Sequence, residues 1–371
     1  MTPSHLGESF WNMNRMKLAA SAIPNRPAKV NAREMATQIR TTGRAVASID
    51  TGSPGTTHYI GGIDQHCNPW GWSTSYVGDL VFRGSLAGAG NLAFCGTPIA
   101  VSTPVEMSFL LNADNSAFTG NVSLARGDLF LNHTNALTAA NSVLLNPGMN
   151  SNATLRIWNK CVTIGALSNC GAGNSVVAGS GPLAALTVCQ NTDSRFGGIL
   201  TQQNGMNAGD YKTGSVLGFT KAGTGTLTLG NTNAYSGTTT INAGTLKLAA
   251  TGSLASTNIV MAAGGVFDVA AQTSYAMTAA NTYTFGVSPA NAGSAGRINA
   301  SGLDIGAANV FFAATNTLDS CTYLIASYTR LTGTAFARVG GCPDGYVIDY
   351  NYKDTRQIAL VRHTGTIVRL Q

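Results

Sequence analysis

From about Thr56 onward the chain is written in short runs in which apolar and polar residues alternate. "GTLTL" (225–229), "TTTINAGTLKL" (238–248) and "GYVIDYNY" (345–352) repeat at period two and are rich in β-branched residues, so they predict strands of a few residues each. In the second of these, Leu246 and Leu248 share one face and Lys247 the other, which predicts buried leucines and a solvent-facing lysine. Turn residues such as Asn242-Ala243-Gly244 separate the runs. The first fifty residues read differently. Asn31 stands three residues before Glu34, a capping-box spacing that predicts a short helix from about Ala32 with Met35, Ile39 and Val46 on its apolar face. Pro24 and Pro27 predict an extended arm ahead of it.

Sliding the chain by 117 positions lays residues 115–148 on residues 232–265 without a gap. Phe118 falls on Tyr235, Gly120 on Gly237, Gly127 on Gly244, Leu129 on Leu246, Leu131 on Leu248 and Val143 on Val260. The matches keep inward apolar positions and turn glycines, while the positions between them drift among small polar residues. Stacked coils require that selection: a buried ladder inside, and glycine where the backbone turns. A sandwich of hairpins would need Asn-Gly or Asp-Gly turns between strands, which are nearly missing. These features predict an all-β chain, a right-handed parallel β-solenoid (β-helix) over residues 56–371. An N-terminal arm and short capping helix over residues 1–55 and a C-terminal β-hairpin cap at about residues 340–371 complete it. At about 20–25 residues per coil the solenoid would hold about 13–15 coils.

Composition supports this reading. Only 10% of the residues are charged, Gly contributes 44 residues, and three Glu are present in the whole chain. Few good helix formers and few carboxylate pairs argue against a helical cytosolic enzyme. The hydrophobic share of 44% is too high for disorder. Net charge is +6, concentrated in the first fifty residues, and no basic run interleaves with aromatics, so no nucleic-acid partner is expected. No stretch reaches the length of a membrane span. The opening residues also lack the apolar run of a secretion leader.

Seven cysteines occur without a CxxC pair, so no metal site is expected. Their spacing suggests three loop-closing disulfides, Cys67–Cys95, Cys161–Cys170 and Cys321–Cys342, with Cys189 left over; buried apolar thiols are the other reading.

The segment "GFTKAGTGTLTLGNTNAYSGTTTINAGTLKLAATGSL" (218–254) closely resembles the autotransporter-associated β-strand repeat of bacterial passenger regions. The likeness runs from Lys221 through "GTGTLTL" to "NAYSGTTTINAGTLKL", more loosely through the copy near residues 109–148, and the ending "GCPDGYVIDYNYKDTRQIALVR" is similar to the close of such passengers. The resemblance implies an extracellular or bacterial cell-surface β-helix, often an adhesin or stalk, with no catalytic motif of its own. The translocator barrel of that family has no counterpart in the sequence.

Two functions are therefore expected in order. The first is a non-catalytic structural or adhesive solenoid, either a monomer capped by residues 1–50 or a subunit that self-associates head-to-tail into a fibre, or one that meets a surface or carbohydrate target, without cofactor, metal or catalytic residues. Its assembly arm would be the apolar set Phe10, Trp11, Met13, Met16 and Leu18, poorly placed in water. The second is a carbohydrate-active β-helix enzyme, a polysaccharide lyase or tailspike-like glycosidase. For that, Asp193 and Arg195 on one strand face, or Asp64 and His66 beside Trp70 and Trp72, are the polar clusters available.

Overall fold

A computed structural model of the chain describes residues 49–50, 57–61, 79–82, 84–95, 108–147, 152–170, 174–202, 214–289, 294–315, 317–318 and 322–363, with backbone alone at 49–50, 57–61, 79–81 and 95. The predicted arm and helix, with Phe10, Trp11, Met13, Met16 and Leu18, lie outside these residues. Strands dominate the described chain, and its one helical element is a single turn, Tyr352–Asp354. Two compact units divide the chain, Met1–Val177 and Ala178–Gln371.

In the first unit the strands stack in parallel register. Ser108–Leu111, the C-terminal half of Val122–Leu131, and Ala153–Trp158 form one file. Phe109, Leu129 and Leu155 stand above one another in it, all fully buried. Asn91–Cys95, the N-terminal half of Val122–Leu131, Ser142–Leu145 and Ala166–Asn169 form a second file. Its inward column runs Leu92, Val122, Val143 and Leu167. The ten-residue strand thus serves both faces, and it turns between them at Gly127, whose φ of +94° lies in the left-handed region.

The second unit repeats this plan. One file, in order, is Ala185–Cys189, Gly218–Ala222, Thr239–Ile241, Asn258–Met261, Thr282–Ser288, Asn309–Ala314 and Arg338–Gly340, parallel throughout. The other runs Ser194–Phe196, Thr226–Leu229, Thr245–Leu248, Val266–Asp268, Arg297–Asp304 and Thr322–Thr332. A hairpin of Tyr346–Asp349 and Gln357–Arg362 then adds to Thr322–Thr332 antiparallel. Leu227, Leu246, Phe267 and Ile298 stack as one fully buried column, while Lys247 points outward.

The parallel β-solenoid is therefore present, but its coils are unequal. Phe219 pairs with Thr239 and Thr239 with Ile259, twenty residues apart each time, whereas Leu186 pairs with Phe219 after 33. The figure of about 13–15 coils is accordingly too high, because longer corner loops consume residues that a uniform period would have given to strands.

The glycines shared by the two copies of the repeat answer to close approach of the neighbouring coil, to a positive φ, or to both. A Cβ on Gly120 would lie 2.1 Å from the Gly90 carbonyl oxygen, and one on Gly237 would lie 2.3 Å from that of Leu217, so the coil beneath leaves no room. Gly244 matches Gly127 in having a positive φ, +65°.

No disulfide joins the described cysteines: Cys161, Cys170, Cys189 and Cys342 stand as thiols. The expected Cys161–Cys170 bridge is therefore not shown. Cys161 opens the strand Cys161–Ile164 and Cys170 follows Ala166–Asn169, with a corner at Gly165 between them. Cys67 and Cys321 lie outside the described residues, and Cys95 is described by its backbone only. The Cys342 thiol donates to the Tyr346 carbonyl at 3.6 Å.

Candidate functional site

Outward side chains of the second unit form two columns beside one groove. In the first, Asp193 lies just ahead of its strand, and above it come Thr226, Thr245, Val266 and Arg297. In the second stand Arg195, Thr228, Lys247, Asp268, Asn299 and Ser327. All of these except Arg195 and Ser327 line an open groove of about 340 Å³. This is the side chemistry of period-two strands: leucine and phenylalanine go in, and threonine, asparagine and charge come out.

The acids here are held by neighbours. Asp193 accepts the Thr226 backbone N–H at 2.7 Å, and Asp268 accepts that of Ala270 at 2.9 Å. Asp268 also faces the Lys247 ammonium at 3.5 Å. That pair is partly exposed and is worth at most about 1 kcal/mol. Lys247→Ala is accordingly expected to shift stability by no more than about 1 kcal/mol in urea unfolding. Arg297 is different: its Nε is buried and finds no hydrogen-bond partner.

Two carboxylates flanking a glycosidic bond must stand about 5–9.5 Å apart. Asp193 and Asp268 are three rungs apart, about 14 Å along a parallel sheet. Asp193 and Arg195 do share a face, as the alternation of the sequence implies, yet no ion pair forms between them among the described residues. Asp64, His66, Trp70 and Trp72 lie outside the described residues. Among those described, no cluster of three His, Cys, Asp or Glu side chains could hold a metal ion. No helix there is long and apolar enough to cross a membrane.

Two further polar features escaped the sequence reading. In the first unit Asp128 and Arg156 pair at 2.9 Å on outward columns, nearly buried, with the guanidinium 5.5 Å from the centre of the Phe130 ring. In the second unit Lys221 occupies an inward column between Val188 and Ile241 and is fully buried. Its ammonium donates to the carbonyls of Ala222 at 2.7 Å, Gly223 at 2.8 Å and Ala243 at 3.4 Å, tying down a corner. Burial pushes its pKa from the ordinary lysine value down to about 8, against opposing pulls from Cys189 and Asp193.

That corner falls inside the stretch matched by a family model. Residues 219–248, one coil and the start of the next, match the passenger-associated-transport-repeat. One passenger-associated-transport-repeat thus lies within the parallel β-helix of the second unit. The match covers the strand pairs Phe219/Thr239 and Thr226/Thr245, so the family pattern and the coil period coincide. Passenger repeats of this kind belong to secreted or surface-exposed proteins. No curated protein matches the passenger-type chain.

Proposed function

We propose that this passenger-type chain is a non-catalytic structural and adhesive element outside the cell. The supporting observation is the wide separation of Asp193 and Asp268 in the groove, Asp193 held by the Thr226 N–H of the next rung and Asp268 by the Ala270 N–H of the turn that follows its strand. A scaffold whose polar side chains serve its own rungs suits display and contact better than bond cleavage. Incubating the protein with a panel of acidic and neutral polysaccharides should release neither unsaturated uronate nor new reducing ends, and release of either would overturn the non-catalytic part.

Self-association is the second element of the proposal. The strands Arg338–Gly340 and Tyr346–Asp349 end their sheets, and beside these edges Val339 and Val347 are exposed. Such edges accept a further strand unless covered. A second copy offering Phe10, Trp11, Met13, Met16 and Leu18 would form a head-to-tail, non-closing contact. Electron microscopy should show fibres that shorten once residues 1–30 are deleted; a full-length protein that stays monomeric at high concentration would refute the fibre.

A further inference from the structure

We infer that an outward face of the first unit binds a neutral glycan of β-linked pyranose rings, stacked on Phe130 and Trp158. The inference rests on the adhesive reading and names its ligand. Along the strand Val122–Leu131 and the residue after it, Asp128, Phe130 and Asn132 alternate outward against the buried Leu129 and Leu131. On the next rung, Ala153–Trp158, Arg156 pairs with Phe130, and Trp158 stands beside Asn132, one position past the pair Leu131/Ile157. The two rings meet with centroids 5.9 Å apart at 50°, a tilted aromatic platform across the diagonal of these outward positions. Both are half-buried, so part of each ring faces solvent.

The polar atoms around the platform select the ligand. Arg156 Nε meets Asp128 Oδ2 at 2.9 Å, and the guanidinium lies 5.5 Å from the centre of the Phe130 ring, so the two charges cancel beside the platform and favour an uncharged partner. Asp128 Oδ1 and Asn132 Oδ1, on the two sides of Phe130, have no hydrogen-bond partner. The Asn132 amide donates to Asn112 Oδ1 on the rung below at 2.8 Å, which fixes the direction of its own oxygen. Unmet acceptors of this kind call for a donor. A pyranose with equatorial hydroxyls presents the complementary pattern, C–H bonds over the middle of each face and O–H donors around the rim. Four residues of strand separate Asp128 from Asn132, about 13 Å, room for one ring with a hydrogen bond at either edge. An apolar side chain would cover the rings and leave both oxygens unmet. Both oxygens lie beneath the outer surface, so the sugar reaches them by turning the half-buried rings aside, and Trp158 reports its arrival.

Calorimetry and tryptophan emission on the full chain test this with two probes: cellohexaose, a neutral β-linked hexamer, and the same backbone carrying a carboxylate on every sugar. Cellohexaose is expected to bind and to change the emission, and the charged hexamer to bind more weakly. Trp158→Ala should weaken cellohexaose about tenfold and Asn132→Ala about fivefold, as expected for the loss of one stacking ring and one hydrogen bond. Trp158→Phe keeps a ring in place, so it should hold the affinity within about threefold while losing the emission change, which separates stacking from folding. Equal or tighter binding of the charged hexamer, or unchanged affinity in Asn132→Ala and in a folded Trp158→Ala, would overturn the assignment. So would surface adhesion that Trp158→Ala abolishes although cellohexaose does not bind, which would make the partner something other than a neutral glycan. Wild-type protein that adheres to glycan-coated or cellular surfaces independently of Trp158 and binds neither hexamer would sink this face and leave the adhesive reading standing. Protein that neither adheres nor binds would sink both.

Discussion

Leu246→Ala is expected to cost about 2–5 kcal/mol of stability, read from the midpoint of urea unfolding. The side chain is fully buried, with Leu227 below it and Phe267 above it in register. Hydrogen-bonded strands fix the rung spacing, so the neighbours cannot move in to fill the space, and the lost burial is compounded by a cavity. Leu246→Met keeps the volume and should cost less than about 1.5 kcal/mol. Lys247→Ala, one residue away on the opposite face, should be nearly silent. A loss below 1 kcal/mol in Leu246→Ala would mean that the column does not carry the stability of its coil.

Much of this arrangement was legible in the sequence, and the reason is periodicity. Alternation in "GTLKL" fixed Leu246 and Leu248 inside and Lys247 outside, as the burial pattern bears out. The shift of 117 residues located Gly120 and Gly237, which face carbonyl oxygens of the preceding coil in the same way. Alternation also carried a signal that went unread. Lys221 lies two residues after Phe219, hence on the inward face, but charge argues for solvent and masks that parity. Coil lengths were not legible, because corner loops of different length leave no periodic trace. Nor was the groove. Asp193, Lys247 and Arg297 are 54 and 50 residues apart in sequence, and the register of stacked rungs alone brings them to one groove. The expected Cys161–Cys170 bridge is not shown, and nine residues of sequence did not reveal that the two cysteines stand on separate strands either side of Gly165.

The second large effect is expected at Lys221. Lys221→Ala removes a buried stem and withdraws the donor from the Ala222, Gly223 and Ala243 carbonyls, and should cost about 2–5 kcal/mol at pH 7. The same residue should give the fold a pH dependence of unusual sign. Below pH 8 the lysine is protonated in both folded and unfolded chains, and the fold bears the full cost of burying a cation. Between about pH 8 and the ordinary lysine value of 10.5 the unfolded chain holds the proton while the folded chain releases it, so stability rises with pH. The gain from pH 7 to 10 should be about 2 kcal/mol. Tyrosines close this window from above. Burial raises the pKa of Tyr235, Tyr275 and Tyr283 above the ordinary 10, so above that pH the unfolded chain loses protons that the fold retains, and stability falls. Urea midpoints measured from pH 7 to 11 should therefore climb to a maximum near pH 10 and then drop. Lys221→Met keeps the stem but has nothing to titrate, and it should abolish the climb while leaving the drop. A wild-type profile that is flat or falling between pH 8 and 10, or a Lys221→Met profile that still climbs, would show that the ammonium at this corner is not held against its own burial.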